Sequence, residues 1–224
     1  MWFFITVLSL FFILFLYFNI AQSIKMQKRF RLLYHDCDPV QFLADTEKDL
    51  SKYGRKGENR FTGILKFDKV LGLIYSGKFK QAFGLLKEFR PDKLPKRLQV
   101  IYYNHLVIIY LNIKGLKETD KIMQEQKELF AYNKMDNKLK VTVKCRLAQY
   151  EYYKGDYLSS KEYLQELTDI KTPRLYRCEA FYFLGLIEYK LGNNEKAREL
   201  LQKAHELSGK TYIEREIAGL LKNL

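Results

Sequence analysis

The residues best suited to chemistry are four consecutive metal-ligating side chains, His35, Asp36, Cys37 and Asp38. A metal site usually takes ligands from two or more segments, and the sequence contains no His-x-x-x-His or Cys-x-x-Cys pair elsewhere. We therefore predict no metal site and interpret the segment as a polar turn. In this interpretation Asp38 caps a helix that begins at Pro39, because proline suits the first position of a helix.

The other cysteines and histidines stand far apart in the sequence. Cys145 and Cys178 fall in apolar-rich helical stretches, where buried free thiols are common, and three cysteines without paired spacing do not indicate a disulfide framework. His105 and His205 have no acid and nucleophile arranged around them in a catalytic pattern. We find no glycine-rich phosphate loop after a strand and no convincing strand. We predict no catalytic residue and no cofactor, and we expect a protein that is not an enzyme.

The positive charge is the next candidate for a function. The chain has 39 lysines and arginines against 26 acidic residues, a net charge of +13. An excess of this size invites a nucleic-acid interpretation. Many of the lysines are instead scattered along amphipathic helices, where they form a solvated face: Lys117, Lys121, Lys127, Lys196 and Lys203. We therefore rank binding of a nucleic acid by a helical repeat below binding of a protein.

The chain begins with an apolar segment that predicts a membrane helix over residues 1–22. Residues 1–24 contain no charged residue and no histidine. About 20 residues of helix span roughly 30 Å, which is the thickness of the hydrocarbon core of a bilayer. Four membrane-proximal basic residues follow: Lys25, Lys28, Arg29 and Arg31. By the positive-inside rule this one-sided cluster predicts a single-pass protein whose C-terminal domain is cytoplasmic.

A cleaved signal peptide is the alternative interpretation of the same segment. Ala21 offers a small residue near its end. Ahead of the apolar run, however, there is no basic residue, and the run is longer than the roughly 7–15 residues typical of a signal peptide. We therefore favour an uncleaved helix over a domain that is released on the far side of the membrane.

Four glycines recur at nearly constant spacing along the remainder of the chain. Gly77, Gly115, Gly155 and Gly192 are separated by 38, 40 and 37 residues, and each lies between two helical stretches. Glycine readily adopts the positive φ that commonly ends a helix. A small residue five positions after three of these glycines lets the second helix pack closely on the first. The spacing therefore predicts four helical hairpins in series.

The hairpins resemble the tetratricopeptide repeat (TPR) family. In the last unit the residues at or beside the signature offsets are Phe181, Leu184, Gly185, Tyr189, Gly192, Ala197, Leu201 and Ala204, while Glu188 occupies the usual aromatic position. The unit around Gly155 matches through Leu147, Ala148, Tyr152, Ser160, Leu164 and Leu167, and the unit around Gly77 through Val70, Leu73, Ala82, Leu86 and Phe89. The unit around Gly115 is degenerate. The resemblance covers roughly residues 60–209 and implies an all-α, TPR-like α-α superhelix.

The apolar segment and the resemblance together divide the chain into five parts. They are a transmembrane helix (1–22), a basic juxtamembrane linker (23–37), an N-terminal helix and loop (38–60), four TPR-like repeats (61–209) and a capping helix (210–224). Caps are needed because each terminal repeat of a solenoid leaves one apolar face uncovered. Thr211 and Glu214 have the spacing of a capping box at the start of the last helix. We also expect Gly185 and Ala197 to meet where the helices of the last hairpin cross.

In TPR proteins the first helices of successive hairpins line a concave groove that binds peptides, and the resemblance implies the same arrangement here. The implied groove residues are Phe67, Leu71, Tyr75, Asn104, Ile108, Gln149, Tyr152, Tyr153, Tyr182, Leu186 and Tyr189. This aromatic and apolar composition is typical of peptide recognition. The sequence thus predicts a membrane-anchored protein–protein interaction module. An assembly subunit that acts through its anchor helix is the alternative, and the sequence leaves open whether helix 39–53 fills the groove.

Overall fold

The computed structural model describes residues 2–54, 60–131, 136–222 and 224, and its regular structure in these ranges is helical. The α-helices are α1 (Trp2–Tyr34), α2 (Pro39–Gly54), α3 (Arg60–Tyr75), α4 (Phe79–Leu86), α5 (Lys96–Ile113), α6 (Leu116–Glu125), α7 (Lys127–Phe130), α8 (Asn137–Lys154), α9 (Tyr157–Leu167), α10 (Arg174–Lys190), α11 (Asn194–Ser208) and α12 (Tyr212–Leu221). A short 3-10 helix, Pro91–Lys93, lies between α4 and α5.

Four helical hairpins follow one another in the described part of the chain: α3–α4, α5–α6, α8–α9 and α10–α11. At their turns Gly77, Gly115, Gly155 and Gly192 have φ angles of 76°, 89°, 84° and 80°. A residue with a Cβ atom rarely adopts this conformation, so the turns account for the repeated glycines. The predicted all-α superhelix of four hairpins is confirmed.

Helix α1 is continuous over its 33 residues. Residues 23–34, which we expected to belong to a linker, therefore extend the helix. Residues 1–38 contain no glycine or proline to interrupt it. The last turns of α1 also pack on the rest of the domain, where Leu33 is fully buried. This packing stabilises the helical conformation of residues 23–34, which have the composition of a polar linker.

Helix α2 begins at a proline, and its first turn is capped by the preceding residue. Pro39 is the first helical residue, and Asp38 Oδ1 accepts a 3.0 Å hydrogen bond from the amide of Gln41. The side chain thereby satisfies one of the amides that a helix leaves unpaired at its start. The helix ends before residue 55, and residues 55–59 of the predicted helix and loop lie outside the described residues.

The first part of α1 carries exposed apolar side chains. Phe11 is 73% exposed and Ile13 is 62% exposed. Ser9 and Asn19 each donate a 2.8 Å hydrogen bond to the backbone carbonyl four residues earlier, so these donor groups have partners within the helix. Among the described residues, α1 is the one helix that is long and apolar enough to cross a membrane, judged by length and composition.

A buried ion cluster joins the second part of α1 to α2 and α3. Arg29 donates hydrogen bonds to Asp49 at 2.9 Å and to Asp68 at 2.6 Å, and Lys25 also pairs with Asp49. Arg29, Asp49 and Asp68 are 3%, 2% and 5% exposed. Burial raises the pKa of Asp68 to about 6, although the charge of Arg29 opposes this shift. Arg29, which we predicted to be a membrane-proximal basic residue, is thus an internal residue, because acids on two neighbouring helices bind it.

The two ends of the domain meet. The amide of Lys210, between α11 and α12, donates a 2.8 Å hydrogen bond to the carbonyl oxygen of Cys37, between α1 and α2. Nearby, Arg215 of α12 donates a 3.2 Å hydrogen bond to the carbonyl oxygen of Ser76, at the turn of the first hairpin. Helix α12 therefore touches the first hairpin as well as α11, and the curled superhelix closes on itself.

Two contacts expected near the last hairpin differ in the structure. A Cβ atom on Gly185 would lie 2.8 Å from Leu201 Cγ, so the nearest neighbour of the glycine is Leu201 and not Ala197. No side-chain hydrogen bond caps the start of α12, so the expected capping box does not form. Instead Thr211 Oγ1 donates a 2.8 Å hydrogen bond back to the carbonyl oxygen of Ser208, which also accepts a 3.2 Å hydrogen bond from the amide of Thr211.

Candidate functional site

The interior of the superhelix contains, among its apolar side chains, a buried group that we call the central polar cluster: Tyr75, Cys145, Arg146, Gln149 and Glu179. Glu179 accepts hydrogen bonds from Arg146 at 2.7 Å, Cys145 Sγ at 3.0 Å, Gln149 at 3.1 Å and Tyr75 at 3.2 Å. Burial lowers the pKa of Arg146, but the carboxylate of Glu179 outweighs it and raises the pKa well above its ordinary value. Arg146 therefore keeps its charge although it is 2% exposed, and Glu179, which binds it, is 0% exposed.

The central polar cluster shows that the inner helices touch one another. Tyr75 comes from α3, Arg146 from α8 and Glu179 from α10. The end of α1 adds a further layer, with the ring centroid of Tyr34 lying 5.4 Å from that of Tyr176 on α10. Helix α2 packs on α3, so it is the end of α1 that occupies part of the inner face of α10. At this level the described inner helices form a packed core.

Seven of the eleven predicted groove residues lie in this core. They are Phe67, Leu71, Tyr75, Asn104, Ile108, Gln149 and Tyr182, each at most 8% exposed. The offsets that implied them assume a wide superhelix, whereas the inner helices of this chain converge. A partner has no access to these seven side chains in the structure described here.

The other four predicted groove residues retain accessible surface. Tyr153 is 43% exposed and Tyr189 is 40% exposed, while Tyr152 and Leu186 are half-buried. We call these four residues the tyrosine surface. Two lie in the last turn of α8 and two in the last turns of α10, so the inner face is open at the C-terminal ends of these two helices.

Aromatic stacking joins the α8 side of the tyrosine surface to α10. The ring centroid of Phe183 lies 5.2 Å from that of Tyr152 and 6.4 Å from that of Tyr153, and the two tyrosine rings meet edge to face at 5.3 Å. Burial raises the pKa of Tyr152 to about 12, and burial together with the carboxylate of Glu216 raises the pKa of Tyr153. Both hydroxyl groups therefore keep their protons at neutral pH and are available as hydrogen-bond donors.

A buried acid positions the α10 side of the tyrosine surface. Glu188 precedes Tyr189 and accepts hydrogen bonds from Lys161 at 2.8 Å, Lys196 at 3.1 Å and Asn193 at 2.7 Å. Burial raises the pKa of Glu188, but these three partners outweigh it and lower the pKa to about 2. The acid in the usual aromatic position of the signature therefore ties α9, α10 and α11 together and holds the end of α10.

Apolar side chains continue the surface beyond the helix ends. Leu158, at the start of α9, is 73% exposed, and Leu191, just after α10, is 50% exposed. The ion pair between Lys161 and Glu188 brings the start of α9 next to the end of α10. Adjacent hairpins thus each expose tyrosine and leucine side chains near these helix ends. Such a combination of large contact area and polar tips is typical of binding surfaces.

The side chains first considered for chemistry do not converge. His35 and Asp36 are exposed, whereas Cys37 is fully buried and its burial raises the pKa of the thiol to about 12. Burial also raises the pKa of Cys145 and Cys178 well above the ordinary value. A protonated, buried thiol is a poor nucleophile and a poor metal ligand. The three cysteines instead pack in the core of the domain.

His105 is likewise part of the core. It is 5% exposed, and its ring lies 6.3 Å from that of Phe67. Burial and the charge of Arg146 lower the pKa of His105 to about 3. The imidazole is therefore neutral at ordinary pH.

Sequence reasoning missed the residues that determine which part of the inner face is accessible. Arg146 and Glu179 draw α8 and α10 together, and Arg29 holds α1 against α2 and α3. The sequence did not single out the first pair, because α8 and α10 each carry several other charged residues. For Arg29 the sequence offered only a basic cluster, with no indication of its partners on the other helices.

The comparison with known families agrees with this architecture in the last hairpin. A family model described as tetratricopeptide repeat matches residues 178–210, which comprise most of α10 and all of α11. Comparisons with curated proteins and with solved structures find no match. The chain thus contains a tetratricopeptide repeat, and repeats of this family generally act in protein–protein interaction.

Proposed function

We propose that the protein is a membrane-anchored interaction module that holds a partner protein through the tyrosine surface. In this proposal α1 crosses the bilayer and the domain formed by α2–α12 lies in the cytoplasm. The observation that carries the partner-binding role is the exposure of Tyr153 and Tyr189 on adjacent inner helices. An exposed aromatic cluster that binds no partner would promote aggregation of the domain. The chemistry of the surface suits a partner segment with apolar or aromatic side chains flanked by hydrogen-bond acceptors.

Photo-crosslinking in the native membrane tests the partner site directly. A photoreactive phenylalanine analogue at position 153 or position 189 of the full chain is expected to capture the same protein, identified by mass spectrometry. A third probe at Ile170 is the control, because this side chain is 75% exposed but lies on the connection between α9 and α10. Capture of one protein equally at all three positions would contradict a specific site.

A double substitution measures the strength of the interaction. Tyr153→Ser with Tyr189→Ser is expected to weaken capture of that protein about tenfold or more, because aromatic anchors dominate interface energies. The helical circular dichroism and the unfolding midpoint should stay close to those of the parent, since both side chains are substantially exposed. Ile170→Ser is the matched control and should leave capture unchanged. Undiminished capture by the double variant would refute the role of the tyrosine surface.

A fusion reporter tests the membrane topology. A reporter after Leu224 is expected to be active only in the cytoplasm, and the protein should resist extraction from membranes at alkaline pH. Changing Lys25, Lys28 and Arg31 to glutamine should weaken the orientation bias. Arg29 is left unchanged, because removing a buried charge would also unfold the domain. An exported reporter, or a mature chain starting near Gln22, would overturn the anchoring proposal.

A further inference from the structure

We propose that α1 and α2 together form a binding site for an anionic phospholipid, with Lys28 and Lys52 at the headgroup phosphate. The inference rests on the proposed insertion of α1 into a bilayer. It goes beyond anchoring because it states which lipid chemistry lies against the protein and which side chains select it.

One side of α1 combines an apolar strip with two lysines. The residues that line this shallow groove are Tyr17, Ile20, Ala21, Ile24, Lys25 and Lys28. Their spacing of three and four positions places them on one side of the helix. Ile20 is 57% exposed and Ile24 is 49% exposed. The apolar strip suits an acyl chain, and the lysines that follow it suit the phosphate to which that chain is joined.

Lys28 is the lysine of this groove that the protein does not neutralise. Arg29 is bound by Asp49 and Asp68, and Lys25 pairs with Asp49. Lys28 is exposed and forms no ion pair within 4.0 Å in the described part of the chain, although Asp45 and Asp49 line the cleft beside it. A cationic side chain beside an apolar surface attracts an anionic headgroup.

The second cation comes from the end of α2. Gln22 Nε2 donates a 2.8 Å hydrogen bond to Tyr53 Oη, which places the end of α2 beside the last apolar turn of α1. Lys52 is exposed, and its Nζ lies 5.3 Å from the centroid of the Tyr53 ring. Tyr53 also meets Phe61 edge to face at 5.0 Å. Aromatic side chains at this level are typical of the boundary between hydrocarbon and headgroups.

The depth of Lys28 matches the headgroup layer, and the end of α2, with Lys52, lies level with Gln22, about 3 Å before Ile24 along the helix axis. Lys28 lies four residues beyond Ile24, or about 6 Å along the helix axis. The headgroup layer is about 5–8 Å thick on each side of the hydrocarbon, and lysine side chains extend toward it from either direction. Arg31 lies about 10 Å beyond Ile24, past this layer. We therefore assign the headgroup contact to two lysines from different helices, Lys28 and Lys52, and not to the whole four-residue basic cluster.

Quenching by brominated lipids tests the proposal on the full chain. Trp2 is the single tryptophan, so Trp2→Phe with Ile20→Trp places the only indole in the apolar strip. The protein is reconstituted into vesicles of phosphatidylcholine and phosphatidylglycerol, with one or the other lipid brominated on its acyl chains. We expect quenching to report an enrichment of phosphatidylglycerol at the indole of about five-fold over its bulk fraction. The enrichment should fall as the salt concentration rises from about 0.1 to 0.5 M, because charge attraction is screened.

Substitutions identify the headgroup ligands. Lys28→Gln with Lys52→Gln is expected to bring the enrichment close to one. The control is Lys138→Gln with Lys171→Gln, both exposed lysines, which should keep the enrichment of the parent. Lys138 lies one turn before Thr142 on α8, and Thr142 Oγ1 is 2.6 Å from the hydroxyl oxygen of Tyr176. Tyr176 packs near Tyr34 at the C-terminal end of α1. Lys138 is therefore close to the end of α1 that lies away from the apolar strip.

The outcomes separate this proposal from the anchoring proposal. If the protein fails to enter vesicles of any composition, anchoring itself is wrong. If it inserts but the two brominated lipids quench in proportion to their bulk fractions, anchoring stands and the lipid site is refuted. If it inserts and neither lipid quenches, another protein helix covers the apolar strip, and the lipid site is again refuted.

Discussion

Lys210 and Asp38, which are 172 positions apart in the sequence, form a 2.6 Å ion pair between the end of α11 and the start of α2. The backbones meet at the same place: a Cβ atom on Gly209 would lie 2.6 Å from the carbonyl oxygen of Cys37. Gly209 has φ 57° and ψ −125°, a conformation available almost only to glycine. The N-terminal and C-terminal elements of the domain are therefore joined through backbone contact.

Replacing Gly209 should weaken the contact between the N-terminal and C-terminal elements. Gly209→Ala is expected to lower the free energy of unfolding by about 2–4 kcal/mol, because it adds backbone strain and a clash with Cys37. Urea unfolding of the full chain in detergent, followed by circular dichroism, measures the change. Gly84→Ala is the matched control, since no atom lies within 4 Å of its added Cβ in the middle of α4. That control should stabilise the protein by up to about 1 kcal/mol. Equal effects at the two glycines would contradict the close contact between Gly209 and Cys37.

The crossing of α10 and α11 allows a similar test. Gly185→Ala is expected to destabilise the protein by about 1–3 kcal/mol, because the new methyl group meets Leu201 Cγ at 2.8 Å and neither helix can move freely. In a Leu201→Ala background the same change should cost much less, since the clashing atoms are gone. Strictly additive losses in the double-mutant cycle would mean that the two residues are not in contact.

The central polar cluster should be sensitive to loss of one charge. Glu179→Gln is expected to lower the free energy of unfolding by about 3–5 kcal/mol, because Arg146 remains buried without a counter-charge. Glu199→Gln is the comparison, since Glu199 pairs with Lys203 at 2.6 Å on an exposed face of α11. Exposed ion pairs contribute little, so this second change should be small. A mild effect of Glu179→Gln, comparable to that control, would argue against a buried pair.

The raised pKa of Asp68 predicts a pH dependence of stability. Its pKa is about 6 in the folded protein against an ordinary 3.8, so the folded state binds the proton more tightly than the unfolded state. The resulting stabilisation is complete below about pH 4 and is lost as the pH rises through about 6, a change of about 2–3 kcal/mol. The amide introduced by Asp68→Asn cannot titrate, so the stability of the parent relative to this variant should decline by the same amount between pH 4 and 7. A constant difference over this range, measured by urea unfolding, would show that Asp68 is not perturbed.

The hairpins and their turns were predictable because their determinants are local. A turn that requires positive φ favours glycine at one sequence position. Such glycines recur at nearly constant spacing in this chain: Gly77, Gly115, Gly155 and Gly192. The start of α2 was readable for the same reason, since Asp38 and Pro39 act within a single turn. Signals of this kind need no knowledge of which helices later become neighbours.

The curvature of the superhelix was not predictable, because it depends on pairs that are distant in sequence. Arg146 and Glu179 are 33 positions apart, and Tyr75 joins them from another 71 positions away. Their contact makes the inner helices converge and buries seven residues that the family offsets implied for the groove. The burial of Arg29 was not predictable for the same reason, because nothing in the sequence around Arg29 indicates which acids bind it.

The unbroken course of α1 has a mechanical consequence for the proposed membrane setting. Because α1 has no hinge, it connects its membrane part rigidly to the domain. Any tilt of the membrane part therefore turns the whole domain through the same angle. Tilts of about 20° are ordinary for single helices, and their size follows bilayer thickness. The end of α1 lies about 15 Å beyond Ile24, so such a tilt displaces it by about 5 Å. If the domain is anchored as proposed, the thickness of the membrane sets the height and direction of the tyrosine surface above it.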